Sequence, residues 1–169
     1  QLVKQVEARC GHWEPRAASR ELPKPNSKPA FESVVRDSST QQYILQLADG
    51  PASEDADRYA AKLLATILGD DSGSRLFWEL VDTGMAETAA TFTQEFQECG
   101  LFCTFLACAP EQHDENWEII QKVLGQGREV PITALELELA KNKICSGMIL
   151  GSERPSNRLF SIGNAWTIR

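Results

Sequence analysis

The chain has 169 residues, 42% of them apolar, and a formal net charge of −7 from 17 basic and 24 acidic side chains. That apolar share suits a globular domain with a real core, and the acidic balance excludes a general nucleic-acid grip, which needs a clustered basic face. No apolar run approaches the roughly 20 residues a helix needs to cross a bilayer.

Residues Gln1 to Trp13 read as the tail of a helix, with Leu2, Val3 and Val6 in helical spacing and Gly11 as its cap. Residues 14–30 hold Pro15, Pro23, Pro25 and Pro29, half of the chain's 8 prolines, and read as an extended linker. The folded part is expected over 31–169. Two strands, Phe31–Arg36 and Gln41–Ala48, fit a hairpin turned at Asp37-Ser38-Ser39-Thr40. In the second, Tyr43, Leu45 and Leu47 share one face and Gln42 and Gln46 the other.

A helix is predicted over Asp55–Leu68, with Ala56, Tyr59, Ala60, Leu63, Leu64, Ile67 and Leu68 on one stripe. Glu54, Asp55 and Asp57 place negative charge at its positive end, and Gly69 stops it. A short helix over Ser72–Asp82 buries Leu76, Phe77, Leu80 and Val81 and ends at Gly84. Strands Glu87–Phe96 and Leu101–Ala107 follow, rich in Phe and Thr and joined around Glu98, Cys99 and Gly100. A helix over Glu111–Gly125 carries Trp117, Ile120 and Leu124. Another opens on the capping box Thr133-Ala134-Leu135-Glu136, with Leu137, Ile144 and Met148 as its stripe. Pro155 breaks that run before a last helix bearing Leu159, Ile162 and Trp166. Two strands, two helices, two strands and further helices predict an α+β fold: an antiparallel sheet of about four strands with helices on one face, in ferredoxin-like layering.

Five cysteines, an odd number spread along the chain, do not form a disulfide framework. Cys103 in a strand and Cys145 in a helix read as buried free thiols, which favours a reducing, cytoplasmic compartment while leaving a periplasmic one open. Both ends read as cut from a longer protein, because neither carries a helix start or stop signal.

Chemistry-bearing motifs are sparse. The only histidines, His12 and His113, belong to neither H-E-x-x-H nor H-x-x-E-H. Cys99, Cys103, Cys108 and His113 lack the paired spacing of a zinc ribbon, and Cys103 and Cys108 are expected on opposite strand faces. There is no G-x-S-x-G elbow, and Gly73-Ser74 beside Asp70 and Asp71 reads as a helix-capping loop. The same two acids would repel a phosphate. The acidic stretch Glu111 to Glu118 reads as a solvated first helical turn.

One stretch does carry a specific pattern. LGDDSGSRLFWELVDTGMA, from Leu68 to Ala86, resembles the segment LGGG-x-SRLF-x-EIREK-x-GLAY of the pitrilysin and mitochondrial processing peptidase family, zinc metallopeptidases of the inverzincin type. Cys10-Gly11-His12-Trp13, the proline-rich linker and the Gln41 to Leu47 strand also resemble that family, so the likeness covers nearly the whole chain. It implies the C-terminal lobe that does not bind zinc, a lobe that closes over a substrate chamber and helps to bind peptide. A closing strand would follow Arg169 in the family.

The resemblance further implies no cofactor in this chain, zinc in a partner lobe of the same or a paired chain, a peptide substrate, no nucleic acid and no membrane span. Active relatives hold substrate and oxyanion with an Arg and a Tyr from this lobe, and those positions fall on Val81 and Glu87. Valine has no donor and an ionised glutamate repels an oxyanion, so no catalytic or metal residue is expected here. Arg75, Glu79 and Glu87 are the expected chamber-lining residues. The chain alone is expected to be inactive. A proteolytically inactive assembly subunit and a free-standing peptide-binding module are the alternatives.

Overall fold

The computed structural model describes residues 1–17 and 27–168. Part of the expected linker, with Pro23 and Pro25, lies outside the described residues. The described parts of it, 14–17 and 27–30, are irregular and exposed.

The first helix, α1 (Leu2–Cys10), is followed by Gly11, which caps it in right-handed helical conformation. Strand β1 (Gln42–Gly50) leads into helix α2 (Arg58–Gly69), and then β2 (Thr88–Phe96) and β3 (Cys99–Cys108) form a hairpin. The three strands make one antiparallel sheet in the order β1-β3-β2. β1 and β2 therefore run parallel with β3 between them, and α2 joins them as a split β-α-β unit. Helices α3 (His113–Glu129), α4 (Ala134–Ser152) and α5 (Pro155–Ile168) complete the α+β layering. The hairpin turn is tight because Glu98 adopts φ 64°, a left-handed conformation uncommon for a residue with a Cβ.

The core lies between the helices and the sheet face that carries Ile44, Ala89 and Leu106. Leu68, Leu76, Leu80, Leu106, Ile120 and Val123 form its buried centre. α2 presses on β2 so closely that Thr91 donates its hydroxyl to the carbonyl of Ala65 at 2.8 Å. A Cβ on Gly69 would lie 2.3 Å from the Thr91 backbone nitrogen. Gly69 thus belongs to the last turn of α2, not beyond it, and its role is close approach.

Several expectations change. Phe31–Arg36 is not a strand: Ser39 N–H donates to the Arg36 carbonyl at 3.0 Å and makes the turn, but the segment pairs with nothing in the sheet. Phe31, Val34 and Val35 are 92%, 82% and 85% exposed, so this stretch has a strand's composition without a ladder partner. The α2 start moves to Arg58, because Asp57 N–H donates to the Asp55 carboxylate at 2.9 Å in a local turn. Cys145 is exposed, whereas Cys103 and Cys108 are buried on opposite faces of β3, and burial raises the Cys103 thiol pKa. Met148 is exposed as well, and only Ala140 of α4 is fully buried.

Candidate functional site

The stretch from Asp70 to Glu87 is held by three local devices. Ser74 donates its hydroxyl to the Asp70 carbonyl at 2.7 Å and accepts the Phe77 N–H at 3.1 Å. This caps a helical turn that widens into a π-helical segment at Phe77–Val81. Gly84, at φ 75°, turns the chain, and Ala86 N–H donates to the Leu80 carbonyl at 2.9 Å. Glu87 then enters the sheet by donating its N–H to Ala107 at 2.9 Å.

Arg75 is tied down. Its Nε and one terminal nitrogen donate to the two carboxylate oxygens of Glu136 at 2.7 Å and 3.1 Å. Glu136 is also the capping-box residue of α4: it accepts the Thr133 N–H at 2.8 Å, while Thr133 Oγ1 accepts the Glu136 N–H at 3.2 Å. About two turns further along α4, Lys143 binds the carboxylates of Asp70 and Asp71 and donates to Ser72 Oγ at 2.8 Å. α4 is thus fastened twice to the loop before the π-helical turn.

Arg75, and secondarily Thr133, hold the Glu136 carboxyl at about 2, below its ordinary 4.5. A depressed carboxylate stabilises the fold above the ordinary value and loses that contribution as pH falls from 4.5 to about 2. Both partners keep less than a third of their side-chain exposure, 17% and 28%. After discounting for solvent, Arg75→Ala is expected to cost ~1–3 kcal/mol at neutral pH and almost nothing below pH ~2. Denaturant titrations of both proteins at pH 7 and in acid check this.

Of the other expected lining residues, Glu79 is exposed on the π-helical turn and Glu87 is exposed at the start of β2. Val81 is half-buried and packs against the core cluster. Arg75 and Glu79 are separated from Glu87 by the Gly84 turn, and no hydrogen bond or ion pair joins them. The Glu87 carboxylate instead accepts from the Gln41 side-chain amide, and the Tyr43 hydroxyl donates to the same amide's oxygen at 2.7 Å. This chain of three spans the sheet end where β1 and β2 begin and β3 finishes. Nothing in the local sequence pairs Gln41 with a residue 46 positions away, so the contact was not readable from spacing.

The two faces of β1 are as expected, and the structure decides which of them meets the helices. Gln42, Ile44 and Gln46 face the helices, and Gln46 accepts from Gln121 of α3 at 3.3 Å. Tyr43, Leu45 and Leu47 face outward at 58%, 56% and 55% exposure, with Tyr43 stacked on Phe105 at 6.3 Å. Antiparallel sheets covered on one side normally put polar residues there. Among the described residues, β1 forms backbone pairs only with β3. Buried Asn116 was also missed: it donates to the Met85 carbonyl at 2.8 Å and so anchors α3 beside the Gly84 turn.

Among the described residues, no three His, Cys, Asp or Glu side chains come close enough to share a metal ion. His113 bonds the Pro110 carbonyl at 2.7 Å and Asp114 at 3.1 Å, both within its own helix start. These residues do not fit a catalytic zinc. Among the described residues no helix is long and apolar enough to cross a membrane.

The chain is similar to known proteins. The family described as peptidase M16 inactive domain matches residues 1–144. The uncharacterized zinc protease of Mycobacterium bovis is 29% identical over 141 residues, which is 83% of this chain and 32% of that protein. The chain thus spans about a third of the length of such curated relatives. A protease from Helicobacter pylori shares the fold with a TM-score of 0.70 at 21% identity, over 79% of this chain and 32% of that one. The peptidase M16 inactive domain from Pseudomonas fluorescens does so with a TM-score of 0.61 at 24% identity, over 66% and 27%. An SRLF segment that leads into a π-helical turn and is clamped to the neighbouring helix, a split β-α-β sheet and a match over 144 residues converge: the chain belongs to the peptidase M16 inactive-domain family, the non-catalytic type of lobe.

Proposed function

We propose that this chain is the non-catalytic lobe of a zinc-dependent metallopeptidase, closing the substrate chamber and contributing to peptide binding. The observation that carries the proposal is the match of residues 1–144 to the inactive domain of that peptidase family. The zinc belongs to a separate zinc-binding lobe of the same or a paired chain. Residues 1–13 are the end of a preceding helix, 14–30 the linker, and 31–169 the lobe.

In this reading Val81 and Glu87 supply no transition-state donors, since one side chain is apolar and the other an acceptor. Arg75 is a positioning residue, because the Nε edge of its guanidinium is engaged in a two-point contact with Glu136. Glu79 and Glu87 present carboxylates to the chamber. This lobe therefore acts on KM through binding, while the zinc lobe sets kcat.

The test is to purify the chain alone and together with the zinc-binding lobe encoded with it or beside it. A quenched fluorescent peptide library is expected to be cleaved only by the combination, and 1,10-phenanthroline is expected to abolish cleavage. Zinc-dependent cleavage by the 169-residue chain alone contradicts the assignment. No cleavage by the combination transfers the chain to the assembly-subunit reading.

A further inference from the structure

We infer that Glu87, Gln41 and Tyr43 form a recognition site for a cationic group, an ammonium or guanidinium, on the peptide that this lobe binds. The inference rests on the peptide-binding reading and names the substrate class within it.

Four observations carry it. First, Glu87 is an exposed carboxylate, and among the described residues no ion pair reaches it. By contrast Asp70, Asp71 and Glu136 each meet a lysine or arginine. Second, the carboxylate is aimed. The Gln41 amide donates to one oxygen, Oε2, and that amide is itself fixed by the Tyr43 hydroxyl at 2.7 Å. Oε1 and the remaining lone pairs of Oε2 are left for an outside donor.

Third, the three residues sit on or beside strand ends. Glu87 N–H is bonded into the sheet at 2.9 Å, and Tyr43 opposite Ala107 is stacked on Phe105. A site on strands loses little freedom when it binds. Fourth, the Tyr43 ring is 58% exposed, and its hydroxyl connects to the Glu87 carboxylate through the Gln41 amide. The exposed ring offers apolar contact to the aliphatic stem of a lysine or arginine, and its hydroxyl fixes the Gln41 amide that holds Glu87. A carboxylate or phosphate on the ligand would be repelled, both by Glu87 and by the chain's net charge of −7.

Two sources could bring the cation: a basic side chain or the peptide's free N-terminus. The experiment separates them. Binding of fluorescein-labelled peptides to the complex of this chain with its zinc lobe is followed by anisotropy, in parallel with cleavage. The peptides form pairs that differ in lysine against norleucine at one position, each with a free or an acetylated N-terminus.

Glu87→Gln keeps an acceptor for Gln41 and removes the charge. It is expected to erase a preference of fivefold or more for the cationic member of a pair, in Kd and in KM, with kcat and melting temperature unchanged. Tyr43→Leu is expected to reduce the preference about twofold to threefold, in line with loss of the hydroxyl that fixes the Gln41 amide. Glu118→Gln, an exposed acid on α3, controls for the general field and is expected to change nothing.

Loss of preference only for acetylated lysine peptides assigns a side-chain site; loss only for free N-termini assigns an amine site. A wild-type complex that does not discriminate lysine from norleucine or free from acetylated ends, or a Glu87→Gln protein that keeps the preference, overturns the inference. Binding is read independently of cleavage. A complex that binds selectively without cutting sinks the peptidase reading alone, and one that cuts without selectivity sinks the inference alone.

Discussion

Gly100→Ala is expected to unfold the domain or lower its melting temperature by ~6 °C or more. Gly100 lies in the central strand β3 opposite Gly50 of β1. A Cβ there would stand 1.9 Å from the Pro51 carbonyl oxygen and 2.7 Å from its carbon. These are backbone atoms at the start of the β1–α2 connection, so no side-chain rotation relieves the clash. Either the β1–β3 ladder opens at its end or the connection shifts, at ~3 kcal/mol or more for an overpacked buried site. At ~2–4 °C per kcal/mol for a chain of this size, that gives the stated fall. Gly125→Ala is the opposite control. It is a helical glycine with nothing within 4 Å of its added Cβ, and it is expected to stabilise α3 by ~0.5–1 kcal/mol. Thermal unfolding followed by circular dichroism on both variants tests the pair. Equal melting temperatures would refute the close-approach argument.

Leu80→Ala is expected to cost ~2–5 kcal/mol, the range for truncating a fully buried leucine that leaves a cavity. Leu80 is 0% exposed and shares the core with Leu76, Leu106 and Ile120, so helices and sheet both close over the space it fills. It sits in the π-helical turn, and its carbonyl accepts the Ala86 N–H at 2.9 Å immediately before Glu87. The cavity therefore lies beneath the connection that aims Glu87. Urea denaturation measures the loss, and nuclear magnetic resonance shifts of Glu87 and Gln41 report whether the clasp is displaced. Leu139→Ala on α4, at 58% exposure, is the comparison and is expected to change stability by less than ~0.5 kcal/mol. A Leu80→Ala cost as small as that would show that the turn is not part of the core.

Much of the fold was readable because its signals are local. The apolar spacing of Leu63, Leu64, Ile67 and Leu68 marked α2, and the Thr133–Glu136 capping box marked the start of α4 to the residue. The Phe- and Thr-rich runs marked β2 and β3. Phe31–Arg36 shows where such signals fail. Its β-branched residues and turn are correct for a hairpin, yet strand structure exists only when a partner accepts the backbone hydrogen bonds. Tyr43, Leu45 and Leu47 show a second limit: alternation says which residues share a face, but which face meets the helices depends on where the crossing α2 and α3 land.

The amino-acid sequence by itself determined the class of lobe. Two histidines and unpaired cysteines bound what any metal could find here, and the SRLF segment marked the family, because composition and motif are properties of covalent order. Only the tertiary structure decided that Arg75 pairs with Glu136, and that Glu87, which has no ion pair among the described residues, is held by Gln41, itself bonded by Tyr43. Those pairings join residues 61 and 46 positions apart, and only the packing of α4 and the closure of the sheet around β3 brings them within hydrogen-bond reach.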